Sequence, residues 1–242
     1  MRWASKTEIR VDIMAKAIDS DVRIDRDNQR LERPMHRLMI PCVVLLLVQA
    51  LGAQKPVKTI EGGALDRIEL FVASLDTPAN LTVVIRPFDA SAADLGTGDK
   101  DGKDARQQEA QTMRSEGPRV LAERFVATLE KGGPFKAVRV LKADEAVPEG
   151  ALALEGKFVT IDPGSRAKRY FAGFGAGKSS VKVTGAVKDS AGRTLAVFEQ
   201  RRIGTMGIGG GDSLGKLMSD SRSIGEDIGK FLARWARGDS LK

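Results

Sequence analysis

Residues 154–187 read LEGKFVTIDPGSRAKRYFAGFGAGKSSVKVTGAV. Two alternating runs flank a turn rich in glycine and basic residues. Val181, Val183, Gly185 and Val187 alternate with Lys182, Thr184 and Lys188. That period of two marks a strand with one wet face. The stretch therefore predicts a strand over 151–161, a wide basic turn, and a second strand over 180–187.

The turn invites a phosphate-loop reading, which fails on two counts. The motif needs four residues between its first glycine and the Gly-Lys-Ser. Counting back from Gly177, the first glycine falls on Ala172. A phosphate loop also opens a helix whose N-terminus faces the anion, whereas the residues after Lys178 keep strand periodicity.

Downstream, Asp189, Ser190, Ala191 and Gly192 form a hairpin turn, and 194–203 is the returning strand. A Gly-rich loop comes next, at 204–211. Leu214, Leu217, Met218, Ser221, Ile224, Ile228, Phe231, Leu232 and Trp235 keep three-four spacing, so 212–236 is an amphipathic helix. Asp212 or Ser213 would cap it. Gly225, Gly229 and Ala233 share one face and would let the helix lie close against a sheet.

Upstream, 135–141 alternates and reads as a strand. Residues 105–131 are helical, with Leu121, Phe125 and Leu129 on one face and Gly117-Pro118 kinking or restarting the helix. The loop at 89–103 is rich in Asp, Gly and Ser and reads as mobile. Its Asp99, Asp101 and Asp104 miss the spacing of a calcium loop, so no metal is expected. LTVVIRPF at 81–88 is a strand buried on both faces, and 68–72 is an edge strand. The fold class is α/β of the α+β kind: a mixed, partly antiparallel sheet of about five strands with two helices packed on one face. Residues 81–240 form a single domain, and 54–80 a linker or edge segment.

Residues 35–53, MHRLMIPCVVLLLVQALGA, have the layout of a signal peptide: a weakly basic start, an apolar run over 38–48, and small residues after it. Cleavage is expected after Ala50 or Ala53. Met35 is then the expected start, and 1–34 a non-native extension or disordered segment. N-terminal sequencing of the exported chain tests this, and recovery of Arg10 or Asp25 in it would refute it. The apolar run is shorter than the ~20 residues a membrane-spanning helix needs. Cys42 sits at the start of the run, after Ile40 and Pro41, rather than after small residues at its end. It is not a lipid anchor, and the expected product is periplasmic or secreted, with no transmembrane helix after cleavage.

Cleavage would also remove His36 and Cys42, the sole histidine and cysteine. A Ser-His-Asp triad, a histidine base, a thiolate metal site and a disulfide are then excluded from the mature chain. The whole chain of 242 residues carries a net charge of +7; the part from Gln54 onward keeps 30 basic and 25 acidic residues, a net +5. The basic character belongs to the domain and suits anionic partners or plain solubility.

Arg166, Lys168, Arg169 and Lys178 are the candidate anion site, with Arg201 and Arg202 on the returning strand. The competing reading is a solvated turn with local ion pairs, Asp162 being one partner. Tyr170 is the single tyrosine, so aromatic platforms for nucleic acid are not expected. No cofactor is expected.

The stretch 154–198 also resembles the bacterial domain of unknown function 4410, whose members are mostly exported proteins or lipoproteins. Gly156, the turn at Gly164 and Ser165, Arg169, the GFGAG run and the turn at Asp189 and Gly192 carry the likeness. It extends over about residues 81–236 and implies no activity. The expected function is a non-catalytic cell-envelope module that binds a protein or self-associates. The alternative is a binder of anions, lipid head groups or anionic glycans through the turn at 164–178. A third is a hydrolase built on carboxylates or a Ser-Lys pair.

Overall fold

The computed structural model describes residues 55–96, 103–142, 144–164, 178–204 and 212–242, with Lys103 and Asp104 described in backbone only. Residues 1–54, which include the expected signal peptide, and most of the basic turn lie outside the described residues.

Seven strands form one sheet. They are β1 Lys58–Glu61, β2 Arg67–Leu70, β3 Thr82–Ile85, β4 Ala137–Val140, β5 Leu152–Asp162, β6 Ser179–Lys188 and β7 Thr194–Gly204. Their order across the sheet is β1-β2-β7-β6-β5-β3-β4. The count is seven rather than about five. β1 escaped the sequence reading because Ile60 is its one buried residue. β2 is an inner strand, paired with both β1 and β7, so the segment 54–80 supplies two strands of the sheet.

β3 lies parallel to β4 and β5, while β5, β6 and β7 form an antiparallel meander. Parallel neighbours need a long crossover, supplied between β3 and β4 by α1, Lys103–Gly132. Val83, Val84 and Ile85 are fully buried, as the unbroken apolar run requires. The loop at 89–103 is partly ordered: Asp89 and Asp94 bridge to Lys157 and Thr160 in a parallel sense, extending the β3 path along β5. Residues 97–102 lie outside the described residues.

Alternation sends Ile68, Leu154, Phe158, Val181, Val183, Val187 and Phe198 into one core. α1 packs on β4 and β5, and α2, Ser213–Arg237, packs on β6 and β7. Gly156 and Gly185 pair across β5 and β6. A methyl on Gly156 would stand 2.6 Å from Phe88 Cζ, and one on Gly185 would strike the Phe198 ring. These glycines exist so that two rings can lie on the sheet. From there a line of rings runs outward: Phe88 to Phe198 at 6.4 Å, Phe198 to Phe231 at 6.2 Å, and Phe231 stacked on Trp235 at 5.8 Å. The Trp235 indole N–H ends on the Ala73 carbonyl at 3.3 Å, which spares a buried donor.

The helices run side by side and parallel. Ser221 donates to the Gly117 carbonyl at 3.0 Å, Gly225 abuts Leu121, and Arg237 donates to the Gly132 carbonyl at 2.8 Å. Partner numbers rise together along both helices. Gly225 and Gly229 therefore permit close approach to α1, at Leu121 and Thr128, rather than to the sheet. α1 continues through Pro118 as one helix. Proline there removes one hydrogen bond of the ladder, and Ser221 engages a carbonyl at that point. Asp212 caps α2 by accepting from Gly215 at 2.8 Å, and Gly238 (φ 74°) closes it in the left-handed region.

Candidate functional site

Of the four basic residues nominated from the sequence, Arg166, Lys168 and Arg169 lie outside the described residues, as does the GFGAG run. Lys178 is exposed immediately before β6. The Gly-Lys-Ser thus leads into a strand and does not open a helix. Asp162 accepts from the Gly164 N–H at 2.7 Å. It closes its own turn, and no ion pair of Asp162 is present among the described residues. Arg106 of α1 holds the Gly164 carbonyl at 2.8 Å. Gly164, where the basic turn begins, is thus held through both its N–H and its carbonyl.

The two arginines of the returning strand part ways. Arg201 is exposed, and its main-chain N–H reaches the Asp66 carboxylate at 2.7 Å. Arg202 turns inward to Asp227 on α2, which also accepts from Gln200 at 3.1 Å. Gln200 in turn accepts from the Asp66 N–H at 2.9 Å.

Beyond Arg202 a polar seam separates the first turns of α2 from the ends of β6 and β7. Lys216 bonds Asp220 at 2.5 Å, and Asp220 is 4% exposed. Ser179 is fully buried opposite Gly204, where a methyl would meet both Ser179 Oγ and the Lys216 stem. Ser213 bonds Glu109 of α1. Ser179 Oγ, Arg202 Nε and Asp220 Oδ2 have no hydrogen-bond partner among the described residues. Sequence reasoning missed this seam. Lys216, Asp220 and Asp227 look like the solvent side of an amphipathic helix, and only the register of β7 shows what they meet.

The opposite face of the sheet is open over its central strands. Two rows cross it: Glu155, Ala186, Val197 and Glu69; then Lys157, Thr184, Glu199 and Arg67. Lys188 pairs with Glu155 at 2.8 Å, Lys182 with Glu199 at 2.9 Å, and Arg67 with Glu69 at 2.6 Å. Asp89 at the rim is held below the usual carboxylate range by the Ser91 main-chain N–H. The rows surround a shallow hollow of about 710 Å³. Toward β4 the face is covered by the loop after it, where Leu141 and Val147 pack on Val84 and Ala153.

A mixed sheet with two parallel helices on one side and a charge-paired open face on the other defines the class. The chain belongs to the family described as domain of unknown function DUF4410, whose sequence profile matches residues 83–207. No curated protein matches the chain. Among solved structures, it is similar to the PelC dodecamer from Paraburkholderia phytofirmans in two crystal forms. One, a point variant, shares 14% identity over 66% of this chain and 96% of that chain, TM-score 0.34. The other shares 12% over 66% and 95%, TM-score 0.35. The crystal structure of an uncharacterized protein shares 13% over 65% of this chain and 94% of that chain, TM-score 0.33.

Proposed function

We propose that this chain is a non-catalytic module of the cell envelope that works by contact with another protein, through the open face of the sheet. The observation that carries this reading is the arrangement of that face. It is broad and shallow, and its charges sit in ion pairs about a quarter to a half exposed, Lys182–Glu199 and Lys188–Glu155 across strands and Arg67–Glu69 along β2. Such pairs contribute little to folding, about 0–1 kcal/mol each. Their chemical use lies in steering and registering a partner, which electrostatic complementarity does well. The apolar run at 38–48 supports export. The seam supports a structural rather than a hydrolytic use of Ser179 and Lys216: Lys216 pairs with Asp220, and no hydrogen bond joins it to Ser179 Oγ.

The test is in vivo crosslinking of the full chain carrying a C-terminal tag, and then recovery from the envelope fraction. A discrete partner that is lost on combining Lys182→Glu with Lys188→Glu is the expected result. Recovery of the bare chain alone, or from the cytosol, overturns the reading.

Exposure of Lys178 favours a second reading, anion or head-group binding through Arg166, Lys168, Arg169 and Lys178. Binding to anionic vesicles should then weaken with salt and with Arg169→Ala. Salt-independent binding counts against it.

A further inference from the structure

Where α1 and α2 run together, their outward sides leave a groove of about 610 Å³, within the ~300–1,000 Å³ usual for small-ligand sites. The groove exists because its floor is made of short side chains. Ala127 and Ala233 line it, and Gly229 brings the helix axes together at Thr128.

The walls carry five cations: Arg124 and Lys131 from α1, and Lys230, Arg234 and Arg237 from α2. Two carboxylates oppose them. Asp227 is turned toward β7, where Arg202 and Gln200 hold it. Glu226 sits between the helices and takes Arg124 through Nε at 3.0 Å and Lys230 at 2.7 Å. Its oxygens show what the groove offers: two cations from different helices converging on one oxyanion.

The remaining cations are not all explained by the helix ends. Both helices finish here, and cations are favoured near helix C-termini. Arg237 serves that purpose on Gly132 and also pairs with Asp239 at 2.9 Å. Among the described residues, Arg234 bonds the Ser240 carbonyl and an oxygen of Lys242, the last residue of the sequence, and pairs with no Asp or Glu side chain. Lys131 is exposed and has no ion pair among the described residues.

We propose that the α1–α2 groove is a binding site for a phosphate-class oxyanion, separate from the basic turn, with Lys131, Lys230 and Arg234 receiving the ligand and Arg124 anchoring it. A diphosphate or a phospholipid head group matches the spread of cations along the groove. An oxyanion entering near Lys230 replaces Glu226 as the shared acceptor, so binding requires no new cation to be buried.

The test uses the full chain, titrated calorimetrically with inorganic pyrophosphate at low ionic strength, and in parallel with vesicles with and without phosphatidylglycerol. Saturable binding that weakens at least about tenfold in the Lys131→Gln/Lys230→Gln double variant, with Arg169→Ala unchanged, is the expected result. Pyrophosphate binding identifies the free anion as a ligand, and binding to anionic vesicles alone identifies the head group. Circular dichroism confirms that each variant is folded. No binding of either probe, or equal loss in Arg169→Ala, overturns the proposal. It stands or falls independently of the open sheet face, because neither lysine lies on that face.

Discussion

Gly225 of α2 lies against the main chain of Leu121 in α1, with no room between them for a methyl group. Alanine should favour an isolated helix by about 1 kcal/mol over glycine. Here the added carbon would meet the Leu121 carbonyl, and backbone cannot swing aside as a side chain can. Gly225→Ala is expected to destabilise the protein by about 1–3 kcal/mol. Gly132→Ala, with nothing within 4 Å of the added carbon, should be neutral or slightly stabilising. Urea denaturation of both decides it, and equal midpoints would remove the close-approach argument.

Gly185 and Phe198 should behave as a coupled pair. Gly185→Ala pushes into the Phe198 ring and stands 2.9 Å from the Glu155 carbonyl. The single substitution should cost about 1–3 kcal/mol. In a Phe198→Leu background its cost should shrink, giving a coupling of at least about 0.5 kcal/mol in a double-mutant cycle. Strict additivity would mean that the ring does not rest on the glycine.

The seam predicts a different sign pattern. Lys216→Met leaves the Asp220 carboxylate buried without its cation, at an expected cost of about 3 kcal/mol. Combining it with Asp220→Leu removes both charges and should recover most of that loss. Lys216 is 33% exposed, so the single cost belongs at the low end of the range for buried pairs. A double variant no better than the single would show that Asp220 has another partner.

Acid should loosen the helix pair. Lys230 and, next, Arg124 hold the Glu226 carboxyl down to about 2 from its ordinary 4.5. The folded value lies below the unfolded one, so the stabilisation is present above about pH 4.5 and disappears as the pH falls toward 2. Between those limits the wild-type chain should lose stability more steeply than Glu226→Gln. Denaturation midpoints across an acid series measure this, and parallel curves would refute it.

The legibility of the sequence was uneven, for physical reasons. The alternation in β6 and the stripe on α2 are repeated signals over ten residues or more, and both elements lie where they were expected. β1 is four residues, KTIE, with one apolar side chain, too little for a period. Gly225 and Gly229 announced close packing correctly, yet a missing side chain does not say which neighbour approaches. Asp162 sits beside the basic turn in sequence, which suggested an ion pair. Among the described residues its partner is the Gly164 main-chain N–H at 2.7 Å, and Arg166, Lys168 and Arg169 lie outside them. Ser179, Lys216 and Asp220 are far enough apart along the chain that only the folded register unites them.

The pairing of β2 with β7 also sets an order of events. Ile68 finds its neighbour at Phe198, and the Ala64 N–H finds its acceptor at the Leu241 carbonyl, 3.1 Å away. The β1–β2 hairpin therefore waits for the last third of the chain before it has anything to dock on. Contacts so distant in sequence form late. For a chain that must cross a membrane before folding, as the proposed export requires, such a sheet is an advantage. It cannot close until its C-terminal segment arrives, and under the proposed export the native state would wait until translocation is nearly done. Pulsed hydrogen exchange would register the delay as late protection of residues 57–70.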